Sequence, residues 1–189
     1  MFFSNLKSWI AKHLPPLQQV ATVYGVIVLI VYGWTLYWFA WKLPSWLYFL
    51  TLGEMLVSLA YSMVVNFIES LIVLFALILI CLLFPIRWFR DKFVALGTSL
   101  VIASLVALAY YLGTIITLQD FPPGLWKSAL FDVAGIILLL FLVSKVSLLR
   151  KVIEEVANRA VIFLYLFLPI SAISFIVVAI RNLLEAFHV

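Results

Sequence analysis

The chain has 189 residues, of which 67% are hydrophobic and 11% are charged, and its formal net charge is +4. Soluble domains carry about a quarter charged residues, so this chain has too few charges to cover a globule in water. The composition excludes a water-soluble enzyme, a nucleic-acid-binding domain and a disordered tail, and it indicates one integral membrane domain over residues 1–189.

The chain opens with the pattern of a short amphipathic helix. Apolar residues recur at helical spacing between Phe2 and Leu14, with lysines between them, and two prolines follow. Residues 2–14 are therefore predicted to lie in the plane of the membrane interface.

The first predicted span covers residues 20–41. Its second half is rich in tryptophan and tyrosine, a composition typical of the headgroup level of a bilayer. The residues that follow, 42–45, contain Pro44 and predict a tight turn.

Residues 46–84 form one apolar stretch without proline, which as a single helix would measure about 58 Å against a hydrocarbon thickness of about 30 Å. Polar residues in its first half fall within about 120° on a helix; they are Thr51, Glu54, Ser58, Ser62, Asn66 and Glu69. The pattern predicts an amphipathic surface helix over 46–66, its polar stripe facing water, and a second span over 67–86. The alternative lets both halves span, which gives six crossings.

Spans three and four are predicted over residues 93–116 and 126–146. The third carries Ser99, Ala103 and Ala107 at four-residue intervals, a face of small residues on which another helix can pack closely. The fourth contains Asp132.

An amphipathic surface helix is predicted over 147–159, where Glu155 and Arg159 have ion-pair spacing. The fifth span covers 160–180, and Pro169 in its middle predicts a kink.

Positive charge favours five spans with a cytoplasmic N-terminus and an outer C-terminus. This arrangement places nine of the 12 basic residues inside and three outside. Six spans with an outer N-terminus would give eight and four. We expect the plasma membrane of a bacterium from the short loops.

Charged and amide groups within or beside the spans are the candidate functional residues, because an ionised side chain at the bilayer centre costs about 3 kcal/mol. Glu54, Asn66, Glu69 and Asp132 form a candidate polar vestibule on the outer side. The competing interpretation is that these are interfacial groups that reach lipid headgroups or neighbouring hydroxyls.

Catalytic and metal-site patterns are missing from the sequence. His13 and His188 are predicted on opposite sides of the membrane, Cys81 is the single cysteine, and no HExxH, CxxC or GxSxG is present. We therefore expect neither an enzyme nor a cofactor.

Two functions fit the sequence. The first is a non-enzymatic structural or accessory subunit, whose partners are the lipid bilayer and other membrane proteins or further copies of itself. The alternative is a small oligomeric transporter or channel that uses the acidic vestibule for cations, with Pro169 as a gate.

Overall fold

In a computed structural model that describes residues 14–83, 92–118 and 124–187, the chain forms five α-helices and no β-strand. The helices are α1 (Leu17–Trp46), α2 (Leu52–Leu83), α3 (Phe93–Leu118), α4 (Leu125–Lys145) and α5 (Ser147–Phe187). All five are long and apolar enough to cross a membrane. The predicted fold class, an all-α polytopic membrane protein, is confirmed.

Consecutive helices run in opposite directions. Lys92 Nζ, just before α3, donates to the carbonyl oxygen of Ser144 at 2.7 Å, near the end of α4. Helices α1 and α5 instead run parallel. Gly25 of α1 lies against Ala160 of α5, and Tyr32, further along α1, contacts Ser171, further along α5. Leu17 and Phe187 therefore lie at opposite ends of the bundle.

Helix α1 lies at the centre, in contact with α2, α3 and α5. Its residues 22–28 are all buried. Helix α4 is peripheral: 6% of its most apolar stretch is buried, against 39% for α1 and for α3. The structure therefore has a packed core around α1 and a loosely attached fourth helix.

Helices α1 and α5 approach each other closely at Gly25. A Cβ atom added at Gly25 would stand 2.9 Å from the carbonyl oxygen of Ala160 and 2.9 Å from the Cα of Val161. Both neighbours are backbone atoms, which no rotamer change can move. Glycine is needed here because the two backbones touch.

The two predicted surface helices are not separate helices in the structure. Residues 52–66 continue without a break into the rest of α2, and 147–159 continue into the rest of α5. Neither junction contains a glycine or proline, so the backbone hydrogen bonds run on. The Glu155–Arg159 ion pair forms, at 2.6 Å.

The predicted turn at 42–45 is wrong. Helix α1 continues to Trp46 with Pro44 inside it, and the rings of Phe39 and Trp46 pack 5.3 Å apart across it. A proline in the last turns removes only one helical hydrogen bond, so the helix tolerates it there. The chain reverses instead at residues 47–51.

Helices α3 and α4 have bounds within two residues of the predicted spans. Gly124, directly before α4, has a φ of 86°, a left-handed conformation that glycine adopts without strain. The predicted interfacial helix at 2–14 lies outside the described residues, except for its last residue.

Candidate functional site

A cleft of about 1170 Å³ lies between α1, α2 and α3. It extends from Leu29 to Tyr37 on α1 and from Ser62 to Val73 on α2, about 12 Å and 16 Å of helix. Its walls are mainly aliphatic. We call this cavity the central cleft.

Asn66 forms part of the polar wall of the central cleft. The residue is 2% exposed, and its Oδ1 accepts a hydrogen bond of 2.8 Å from the Thr35 hydroxyl. Its Nδ2 has no hydrogen-bond partner within the described part of the chain. A buried donor without an acceptor is costly. Because Nδ2 has almost no accessible surface, the amide must turn toward the cleft before an acceptor from outside the chain can reach it.

Asn66 was predicted to face water, and the structure places it against α1 instead. Ser70, one turn further along, is also buried and contacts Tyr24. The polar stripe of α2 therefore turns partly into the bundle, because α1 supplies hydroxyl groups for it.

Glu69 lies one turn from Asn66 and lines the same cleft. Its side chain is exposed, and within the described residues its carboxylate has no hydrogen bond or ion pair. It stands about 26 Å from the start of α2 and about 21 Å from its end. Because the span was predicted to begin at 67, the sequence placed Glu69 near the outer surface, whereas the continuous helix places it near its own middle.

Aromatic rings flank one end of the central cleft. Trp34 and Tyr37 line it, and their ring centroids lie 6.4 Å apart. Trp38 packs edge-on against both rings at 5.9 Å. The cleft thus has an aromatic end and, around Leu29 and Val73, an aliphatic end.

Glu54 lies outside the central cleft and caps helix α2. Its Oε2 accepts hydrogen bonds of 2.8 Å from the backbone N–H and the hydroxyl of Thr51, and its own N–H donates to Thr51 Oγ1 at 3.4 Å. This reciprocal pair is a capping box, which fixes the start of the helix. Glu54 stands about 22 Å from Glu69 along α2.

Asp132 lies in a different place, a groove of about 390 Å³ between α3 and α4. Its carboxylate accepts a hydrogen bond from the Tyr111 hydroxyl. The structure therefore brings together two of the four vestibule residues, Asn66 and Glu69, and separates Glu54 and Asp132 from them.

The small-residue face of α3 points partly to the same groove. Ala103 and Ala107 line it, opposite Gly135 of α4. Ser99 is buried, and its hydroxyl donates to the Ala95 carbonyl oxygen at 2.7 Å. The helix that faces Ala103 and Ala107 is thus α4 of the same chain.

Pro169 lies within α5, which continues on both sides of it. Two residues later, the Ser171 hydroxyl donates to the Phe167 carbonyl oxygen at 2.9 Å. Since that bond uses the only hydroxyl hydrogen of Ser171, Tyr32 is the donor in the 2.6 Å contact between their hydroxyls. The residues around Pro169 are therefore tied to α1.

Sequence reasoning missed three residues of α1 that carry the bonds between helices: Tyr24, Tyr32 and Thr35. In an almost entirely apolar stretch, composition does not tell which side of the helix faces the core. A signal existed for α2: Thr51 and Glu54 have capping-box spacing, which marks a helix start at residue 52.

Among the described residues, no group of three or more histidine, cysteine, aspartate or glutamate side chains could hold a metal ion. Cys81 is buried. The chain matches no family model, and neither a curated protein nor a solved structure is significantly similar to it.

Proposed function

We propose that this protein is a non-enzymatic accessory subunit that binds another membrane protein through the central cleft. The observation that supports this most directly is the pair of unsatisfied groups at the cleft, Asn66 Nδ2 and the Glu69 carboxylate. Unpaired polar groups within a bilayer are costly, and helix association is a common way to satisfy them.

The positions of the acidic residues favour binding over ion conduction. A cation pathway lined by the vestibule residues would need Glu54, Glu69 and Asp132 along one passage. Glu54 caps a helix, and Asp132 lies in the groove on another side of α3. Among the described residues, Glu69 is then the single carboxylate at the central cleft, which suits one specific contact better than a relay of sites.

The proposed setting is a bacterial plasma membrane with the start of α1 on the cytoplasmic side. The argument is the distribution of basic residues, nine of 12 of which then lie inside. In this orientation the aromatic end of the central cleft, at Trp34 and Tyr37, opens toward the outer leaflet.

Purification from native membranes in mild detergent tests the proposal. We expect a second membrane protein in fixed stoichiometry, identified by mass spectrometry and retained through size-exclusion chromatography. A Val65→Trp substitution, which adds a large ring at the cleft wall, should release it.

Phe131→Trp on α4 is the matched control and should retain the partner, since Phe131 is 77% exposed and lines the α3–α4 groove, not the central cleft. Recovery of the chain alone, or as a homo-oligomer, would contradict the accessory function.

A further inference from the structure

The two unsatisfied groups at the central cleft differ in chemistry. Asn66 offers a hydrogen-bond donor, its Nδ2, once the buried amide turns toward the cleft, whereas Glu69 offers an exposed acceptor that is anionic when ionised. A ligand that satisfies both must carry an acceptor oxygen and a cationic or donor group.

The spacing of these groups sets the spacing in the ligand. Asn66 and Glu69 are three residues apart on α2, so they lie on one face with a rise of about 4.5 Å. On a facing α-helix, residues three or four apart have the same separation. A partner helix can therefore contact both groups with two residues one turn apart.

The length of the cleft agrees with a helical occupant. Its walls extend about 12 to 16 Å along α1 and α2, which corresponds to two to three turns of a facing helix. Gly33, where an added Cβ would meet nothing within 4 Å, leaves room on the α1 wall.

The depth of Glu69 favours a protein helix over a lipid headgroup. If α2 is centred on the bilayer, Glu69 lies close to the midplane, since the helix extends 17 residues before it and 14 after it. A headgroup ammonium belongs to the interface, whereas a lysine or arginine fixed on a transmembrane helix is held at this depth and needs a carboxylate there.

We infer that the central cleft binds a transmembrane helix of the partner that carries a lysine or arginine opposite Glu69 and, one turn away, an acceptor oxygen opposite Asn66. The inference rests on the proposed function and names the partner's chemistry. The charge pair selects the partner, and the aliphatic walls at Leu29, Val73 and Leu105 pack against its apolar side chains.

The test uses the full chain in lipid nanodiscs and synthetic transmembrane peptides as probes. One peptide is an all-leucine and alanine helix, and the second has a single lysine at its centre. Binding is measured by energy transfer between a dye at the C-terminus of the chain and a dye on the peptide. We expect the lysine peptide to bind roughly tenfold or more tightly than the uncharged one, which corresponds to one intramembrane ion pair.

Charge exchange makes the test specific. Glu69→Gln should remove the preference for lysine, and Glu69→Lys should create a preference for a peptide with a central glutamate. Neither peptide carries an acceptor for Asn66, so Asn66→Leu should leave the lysine preference unchanged. A third peptide, with a serine one turn from the lysine, should bind the wild-type chain more tightly than it binds Asn66→Leu. Glu54→Gln is the matched control, because it removes a carboxylate of α2 outside the cleft and should leave the lysine preference unchanged.

Two results would overturn the inference: equal binding of the lysine and uncharged peptides, or a lysine preference that survives Glu69→Gln. A lipid site would appear in native mass spectrometry as one retained phosphatidylethanolamine that Glu69→Gln releases, and this too would overturn it. Because Glu69 is exposed, its variants should fold like the wild-type chain. An unchanged thermal unfolding of the variants would show that a lost lysine preference is not caused by misfolding.

Failure of the charge pair can be distinguished from failure of the proposed function. If a native partner copurifies equally with the wild-type chain and with Glu69→Gln, the accessory function holds and the charge pair is refuted. If no partner copurifies but the lysine peptide shows the full charge exchange, the accessory function fails and the cleft chemistry holds.

Discussion

Small residues lie where α1 meets α5 and where α3 meets α4. The first two helices are in backbone contact there, whereas the second two are separated by a groove. At Gly25 the backbones of α1 and α5 touch, and Ala157 and Ala160 beside it are buried. At Gly135, facing Ala103 and Ala107, an added Cβ would meet nothing within 4 Å. Small residues allow two helices to approach but do not cause it.

The difference lies in what surrounds the small residues. Beside the α1–α5 contact, Tyr32 stacks on Phe167 at 4.7 Å and donates to Ser171, so rings and a hydrogen bond hold the helices together. The polar ties between α3 and α4 include Lys92–Ser144 near one end of the contact and Tyr111–Asp132 toward the other. Between those ties the helices leave a groove.

The largest expected effect comes from Gly25→Leu. The new side chain would collide with the backbone of α5, so we expect a loss of about 3 kcal/mol in the free energy of unfolding. Unfolding in mixed micelles with increasing SDS measures it. Gly135→Leu is the matched control and should stay within about 0.5 kcal/mol; equal losses at both glycines would refute the comparison.

Phe167→Ala should follow with a loss of about 2 kcal/mol. The ring is 9% exposed and packs between Tyr32 and Phe163. We expect less than the 3–5 kcal/mol or so found in water-soluble cores, because in a bilayer the removed surface is not transferred from water. The same SDS titration applies, and Phe131→Ala on exposed α4 should change the unfolding free energy little.

Tyr32→Phe should lower the free energy of unfolding by about 1 kcal/mol. It removes one donor, while Ser171 keeps its own bond to the Phe167 carbonyl oxygen. Combining it with Ser171→Ala measures the coupling: the double variant should lose less than the sum of the two single losses. Strict additivity would show that the two hydroxyls do not interact.

The smallest expected effect is that of Ala103→Leu with Ala107→Leu. Because the added side chains enter an open groove, we expect a change within about 0.5 kcal/mol. Ser99 is left unchanged, since it is buried. The proposed function predicts that this variant still copurifies with its partner, and loss of the partner would move the docking surface from the central cleft to the α3–α4 groove.

The sequence predicted the helices better than their contacts. The bounds of α3 and the start of α4 agree with the structure because segments rich in charge, proline or glycine flank them. The prediction that 46–66 and 67–86 are separate helices failed because it assumed that a helix longer than the bilayer is thick must break. Residues 52–83 instead form one unbroken helix.

The candidate site was predictable in part. Polarity alone identified Asn66 and Glu69, and helical spacing put them on one face. Glu54 is separated from them along α2 itself, because residues 52–83 form one helix. The separation of Asp132 depends on how α4 packs beside α3, which the sequence does not encode locally. Gly25 could not be distinguished from Gly33 by sequence, because both stand in apolar helix and only the path of α5 makes one of them essential.

The length of α5 has a mechanical consequence. Its 41 residues measure about 61 Å, and even at a tilt of about 40° the helix covers about 47 Å along the bilayer normal. Since the hydrocarbon layer is about 30 Å thick, a good part of this rod must stand beyond it. Glu155, near one end of α5, lies about 40 Å along the helix from Asn182, near the other end, where α5 accepts a hydrogen bond from Tyr61 of α2. These polar contacts are thus farther apart than the hydrocarbon layer is thick.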